Sequence, residues 1–330
     1  MIAYIQGDRM TDVTTSAEII AIEEHFMHDA LARHLASAAD PASALGRKLF
    51  DFAGVRIEEM DAAGIDMQVL SHQSPGSQRL TGDTAVEACR AVNDALAAII
   101  RKTPDRFAGF AMIPSSVPEA AADELQRAVE ELGLKGAMIH GKSCGEFVDA
   151  AEFWPIYARA EALDVPIYLH PAHPDKAVIE SCYAPYDQSH PALTGPAWGF
   201  GVEAGTHAIR LILSGVFDRH PGLKIILGHM GEALPFWLPR IDESLARPGN
   251  AAVRFAEIFK NNFFVTTSGF FSDAALRCCL ECLNPDHILF AVDWPYADNR
   301  SGVDWLRSHP MDHDLKKAIF SLNARVLLKL

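Results

Sequence analysis

"AEIIAIEEHF", residues 17–26, is an apolar run of strand length that closes on two carboxylates and an imidazole. In an extended chain residues i and i+2 share a face, so Glu23 and His25 project together while Glu24 points the other way, towards the layer covering the strand. An apolar strand with ionisable residues at its C-terminal end suits a parallel sheet covered by helices. Seven further runs follow: "DMQVLSH" (66–72), "RFAGFAMI" (106–113), "KGAMIHG" (135–141), "VPIYLHP" (165–171), "LKIILGHMG" (223–231), "FFVTTSG" (263–269) and "HILFAVDWP" (287–295). Between them lie helix-period segments such as "PEAAADELQRAVEELG", which carries proline at a first-turn position. Eight such units predict an α/β fold, a (β/α)8 TIM barrel. A doubly wound open sheet is the alternative, but no G-x-G-x-x-G or G-x-x-x-x-G-K-[ST] supports its nucleotide-binding form. Residues 27–52 and 172–200 read as loop insertions at the C-terminal face, residues 1–18 as an N-terminal extension, and 19–330 as one barrel domain.

Composition narrows the partners. The chain is 49% apolar and 22% charged, which suits a soluble globular protein with a large core. It has no membrane-length apolar run and no signal-peptide pattern, and the expected location is cytoplasmic. A net charge of −14 disfavours nucleic acid and points to a small-molecule substrate. The six cysteines form no disulfide framework, and "CCLEC" (278–282) lacks the second pair that a zinc ribbon needs, so it reads as the packed face of a helix.

The strand ends carry the chemistry. Ionisable side chains close strand 1 (Glu23, His25), strand 2 (His72), strand 4 (His140), strand 5 (His170), strand 6 (His229) and strand 8 (Asp293). Glu23, His25, His170 and Asp293 offer two imidazoles and two carboxylates around one point, a mixed N and O set suited to Zn(II) or Mn(II) with positions left open. In "GHMGEALP" a glycine turn exposes His229, and Glu232 follows as a carboxylate able to orient it.

The motifs "AIEEHF", "RIEEMDAAGIDMQVLS", "IYLHP", "WGFGVEAGTHAIRL", "SGVFDRHPGLKIILGHMGEALP" and "FAVDWPY" resemble the amidohydrolase superfamily over nearly the whole chain, specifically its branch of metal-dependent non-oxidative decarboxylases. Hydrolases of the superfamily commonly open with H-x-H and bridge a second metal with a strand-4 lysine. Here the chain has E-x-H and ends strand 4 on His140, which argues for one metal. E-x-H is similar to the γ-resorcylate, 2,3-dihydroxybenzoate and 5-carboxyvanillate decarboxylases. The stretches "GFGVE" and "GHMGEALPFWL" look most like the last of these, while the loop 172–197 departs from it.

The resemblance implies metal ligands Glu23, His25, His170 and Asp293, a catalytic His229 with its partner Glu232, and Asp293 as proton donor to the ring. It implies Mn(II), with Zn(II) second, no organic cofactor, and a homodimer or homotetramer. The reaction expected is reversible, non-oxidative decarboxylation of an ortho-hydroxybenzoate-type acid. Candidate substrate contacts are Arg56 and Arg240 as anchors for a second anionic group, His72 and His140 at ring substituents, and Trp198, Phe200, Phe270 and Tyr296 as apolar walls. The competing expectation is a mononuclear metal hydrolase of a lactone or amide using the same ligands.

Overall fold

The computed structural model describes residues 17–35 and 38–330, so the extension expected over residues 1–18 lies almost wholly outside the described residues. Eight strand positions run in chain order: β1 (Ile20–Phe26), β2 (Met67–His72), β3 in two pieces (Phe107–Gly109 and Ala111–Met112), β4 (Ala137–His140), β5 (Ile167–His170), β6 (Ile225–Leu227), β7 (Phe263–Thr266) and β8 (Ile288–Leu289). Neighbours pair in parallel. Strand 3 changes partners midway, Phe110 N–H donating to Leu70 O and Ala111 N–H to Gly136 O. The wall returns to its start through Ile22 N–H to Phe290 O at 3.2 Å and His25 N–H to Trp294 O at 2.7 Å. The fold is the TIM barrel that the alternating pattern predicts.

Two apolar layers hold it. Ile20, Ile22, Val69, Phe110, Tyr168, Ile226 and Leu289 fill the barrel, with Leu327 and Leu328 from the last helix packed against them. Ile19, Ala21, Ile139, Leu169 and Ile225 face the surrounding helices, among them Gly82–Lys102, Pro118–Glu130 and Gly199–Leu213.

Strand 1 departs from simple alternation. Ala21 pairs with Gln68 and Glu24 with Leu70, so β1 spends one residue more than β2 over the same span, a bulge. The extra residue resets the phase: Ile20 and Ile22 point inward, and so do Glu23 and His25 beyond it. Glu24 faces away from the centre, as alternation from Glu23 requires. Its carboxylate accepts Val292 N–H at 2.9 Å and Trp294 N–H at 3.1 Å, and so joins strand 1 to the segment after strand 8. Burial pushes the Glu24 carboxyl up to about 7 against the pull of these two amides.

Arg56 belongs to this seam and not to a substrate pocket, a correction to the expectation above. Fully buried, it donates to His25 O at 2.7 Å, Gln68 Oε1 at 3.1 Å and Asp51 O at 2.9 Å, and lies 4.1 Å from the Trp294 ring centroid. Each of its three nitrogens donates at the back of strand 1, where the side chain is closed off from any pocket.

Candidate metal centre and active site

The ends of strands 1, 5 and 8 bring Glu23, His25, His170 and Asp293 together, one ligand atom from each lying within 4.8 Å of all the others. His25 Nε2 is 3.1 Å from Asp293 Oδ1, His170 Nε2 is 3.4 Å from Glu23 Oε1, and the two imidazoles meet edge to face. His170 Nδ1 lies 2.7 Å from Pro171 O, which fixes the proton on Nδ1 and leaves the Nε2 lone pair facing the cluster. Burial, reinforced by the neighbouring His25, holds His170 well below the usual imidazole range, so it is neutral. Glu23 is held by Tyr168 OH and by Thr266 Oγ1 at 3.2 Å, both on Oε2, whereas its buried Oε1 has no hydrogen-bond partner. A buried carboxylate oxygen without a donor, beside a neutral imidazole lone pair, fits a divalent cation: two nitrogens and two oxygens are on hand and the ion's charge offsets both carboxylates.

Asp293 also faces His229, whose Nε2 lies 3.6 Å from Oδ2 while its Nδ1 lies 2.8 Å from Glu232 Oε1. Burial lowers the His229 pKa, but Glu232, Glu23 and Asp293 outweigh it and hold the imidazole well above its usual range. Burial alone would raise Asp293, yet the adjacent His229 and His25 imidazoles pull it well below the usual carboxylate range. A proton in this pair therefore rests on His229, one transfer away from Asp293.

The backbone that presents His229 is unusual. Strand 6 ends at Leu227, short of the expected run to residue 231, because His229, Met230, Gly231, Glu232 and Ala233 all have positive φ, from 49° to 75°. This left-handed turn is costly for the four residues with side chains. Ser268 Oγ accepts His229 N–H at 3.0 Å, Cys279 Sγ donates to Met230 O at 3.5 Å and Cys282 Sγ to Pro235 O at 3.2 Å. Thus "CCLEC" packs as expected but also braces the turn.

A cavity of about 770 Å³ opens onto His25, His170, His229 and Asp293. His140, Phe200 and Tyr296, three of the candidates named from the sequence, line it. Other candidates lie elsewhere. His72 is buried on the far side of strand 2, 5.3 Å from the Phe26 ring, because the strand alternates and it is Ser71 that reaches His25 Nδ1, at 3.3 Å. Trp198 is 56% exposed just before the helix Gly199–Leu213, and Phe270 is 48% exposed beyond the Gly269 turn; neither lines the cavity. Arg240 stands exposed over Trp237 on the helix Leu234–Leu245. Gln78, Glu203 and Lys142 line the cavity without having been singled out from the sequence. For Glu203 a signal existed, since Phe200, Glu203 and His207 recur at helical spacing on one face.

The amidohydrolase family profile matches residues 25–330. γ-Resorcylate decarboxylase of Polaromonas sp. (strain JS666) is 39% identical over 325 residues, covering 94% of this chain and 98% of that one. Among solved structures, the dihydroxybenzoic acid decarboxylase of Polaromonas sp. JS666, with bound manganese and the inhibitor 2-nitroresorcinol, is 38% identical with a TM-score of 0.87, covering 95% of this chain and 97% of that one. The 5-carboxyvanillate decarboxylase of Sphingomonas paucimobilis is 32% identical with a TM-score of 0.88, covering 96% and 100%. By identity the dihydroxybenzoate enzyme is the nearer of these two, contrary to the lean suggested by "GFGVE" and "GHMGEALPFWL".

Proposed function

The chain belongs to the amidohydrolase family, and from that premise we propose that its substrate is a dihydroxybenzoate of the γ-resorcylate type, bound at Glu23, His25, His170 and Asp293 through one Mn(II), with Zn(II) as second choice. The protein is a divalent-metal-dependent, non-oxidative decarboxylase of an ortho-hydroxybenzoate-type acid. The observation that carries the site assignment is the place of Asp293, between the donor cluster at His25 and the proton store at His229 and Glu232. When bound, the cation supplies Lewis acidity and a template for a phenolic and a carboxylate oxygen.

The chain's own residues manage the proton. Expelling CO2 directly from an aromatic ring would leave an aryl carbanion, so the ring carbon bearing the carboxylate must be protonated first. With the substrate as its phenolate, the hydroxyl proton having gone to solvent to be regained after CO2 leaves, His229 holds the proton for the carbon, Glu232 orients the imidazole, and Asp293 passes that proton on, giving a cyclohexadienone-like species. The carbon–carboxyl bond then breaks, its electron pair restores the aromatic ring, and CO2 leaves. One proton is consumed and one CO2 released, with no redox change. Phe200 and Tyr296 wall the ring, and His140 faces it.

We further read the protein as a cytoplasmic homodimer or homotetramer. Phe236, 73% exposed, and Trp237 on the helix that carries Arg240 support a subunit contact there; light scattering in solution tests it. Among the described residues no helix is long and apolar enough to cross a membrane.

The reaction is tested by incubating manganese-loaded protein with 2,6-dihydroxybenzoate, 2,3-dihydroxybenzoate, 5-carboxyvanillate and a lactone panel, following CO2 release and aromatic absorbance. Loss of CO2 from a dihydroxybenzoate is the expected result. Turnover of lactones alone would restore the hydrolase reading.

A further inference from the structure

Three buried polar groups on one wall of the cavity have capacity that the protein does not use. Gln78 is 2% exposed; its Nε2 donates to Ser115 Oγ at 3.0 Å, and Ser115 in turn donates to Ser143, which leaves Gln78 Oε1 with no partner. His140 is likewise 2% exposed, and neither ring nitrogen makes a hydrogen bond. Glu203, at 9%, accepts Ala172 N–H on Oε2 at 3.3 Å, while Oε1 has no partner.

Two glycines stand against these groups, Gly76 beside His140 and Gln78, and Gly141, the residue after His140, beside Glu203. A Cβ on Gly76 would stand 2.7 Å from His140 Nδ1 and 3.0 Å from Gln78 Oε1, and one on Gly141 would stand 3.0 Å from Glu203 Oε1. Both glycines also have positive φ, so an alanine is disfavoured at either for two reasons. The His140 ring centroid lies 4.8 Å from that of His170, so an aromatic ring seated at the donor cluster comes within reach of this wall.

The chemistry of the wall is that of an acceptor. Gln78 offers a carbonyl oxygen, Glu203 a carboxyl oxygen, and His140 two ring nitrogens without a partner. The adjacent cation, Lys142, is committed to Asp175 and to the face of Phe147, 4.2 Å from its centroid. A second carboxylate on the ring would meet the Glu203 carboxyl here, whereas a hydroxyl or amino group would find acceptors. Buried polar groups are nearly always paired, and a site built to bind a substrate hydroxyl discriminates strongly against the analogue that lacks it.

We propose that Gln78, His140 and Glu203 form a specificity subsite that selects ortho-hydroxyaryl acids carrying an additional ring hydroxyl or amino donor. The inference rests on the decarboxylase reading for its substrate frame, and its test separates the two. Manganese-loaded protein is given 2-hydroxybenzoate and its 2,3-, 2,4-, 2,5- and 2,6-dihydroxy counterparts. In parallel, phenol, catechol and resorcinol are titrated by calorimetry, which needs no turnover. The expected result is a preference of roughly 10–100-fold for at least one dihydroxy acid and for its phenol product, falling to within about threefold in Gln78→Met and in His140→Phe. Each ratio is internal to one protein, so a general folding defect cancels, and the parent comparison needs no variant at all. Equal handling of mono- and dihydroxy compounds by the parent, or a preference that survives both substitutions, overturns the subsite even if CO2 is released. Discrimination among the phenols without CO2 release from any acid would leave the subsite standing and remove the decarboxylase reading.

Discussion

Asp293 concentrates the chemistry in one side chain, since it faces both the donor cluster and the His229 imidazole. Asp293→Asn should lower kcat for decarboxylation by about a thousandfold or more, because an amide neither takes the proton from His229 nor passes it on; stopped assays on metal-loaded variant and parent check this. Glu203 gives a second, thermodynamic prediction. Burial pushes its carboxyl up to about 7 from an ordinary 4.5. Between those values the folded state holds more protons than the unfolded state, so stability falls as pH rises through that window and levels off above it. The parent should lose up to about 3 kcal/mol relative to Glu203→Gln between pH 4.5 and 7.5, measured by urea denaturation. The convergent residues were legible in the sequence because strand ends announce themselves: an imidazole or carboxylate after a run of apolar residues has few structural uses. Arg56 and His72 were not, because their chemistry is equally suited to the inside of a barrel and to its back, and a side chain's direction depends on packing that residue type does not encode.

At the scale of elements, the left-handed turn from His229 to Ala233 is the piece least like ordinary secondary structure. Ala233 is exposed there with φ 64°, so Ala233→Gly should relieve strain and raise stability by about 1 kcal/mol. Gly231→Ala should act in the opposite sense, since its Cβ would stand 2.8 Å from Val265 Cγ1 and 3.0 Å from Pro235 Cδ. Thermal melts of the two variants check both signs. The "GHMGEALP" motif disclosed that a turn was needed, but His229, Met230 and Gly231 read as the end of a strand, and tertiary bracing by Ser268 and the cysteines is what holds the left-handed path. The bulge in strand 1 was equally hidden. Ile20, Ala21 and Ile22 are all apolar, so a strand with one extra residue has the same hydrophobic pattern as one without it. Element existence and order, by contrast, followed from apolar runs alternating with helix-period segments.

Across the whole molecule, the donor cluster links strands 1, 5 and 8, which are distant in sequence and meet only when the barrel is closed. Binding a cation to the folded state alone stabilises it by about 3–4 kcal/mol at a hundred to a thousand times Kd. Chelation should therefore lower Tm by roughly 4–6 °C, and added Mn(II) should restore it. Glu23→Gln should make the melt insensitive to chelator, whereas a parent melt indifferent to chelator would show that no ion is held there. The seam carries a related consequence. The amides of Val292 and Trp294, on either side of Asp293, are held by the side chain of Glu24, itself flanked by Glu23 and His25. Opening the wall at this point and scattering the donor atoms are one event, so solvent deuterium would enter those two amides on the same clock that governs escape of the ion.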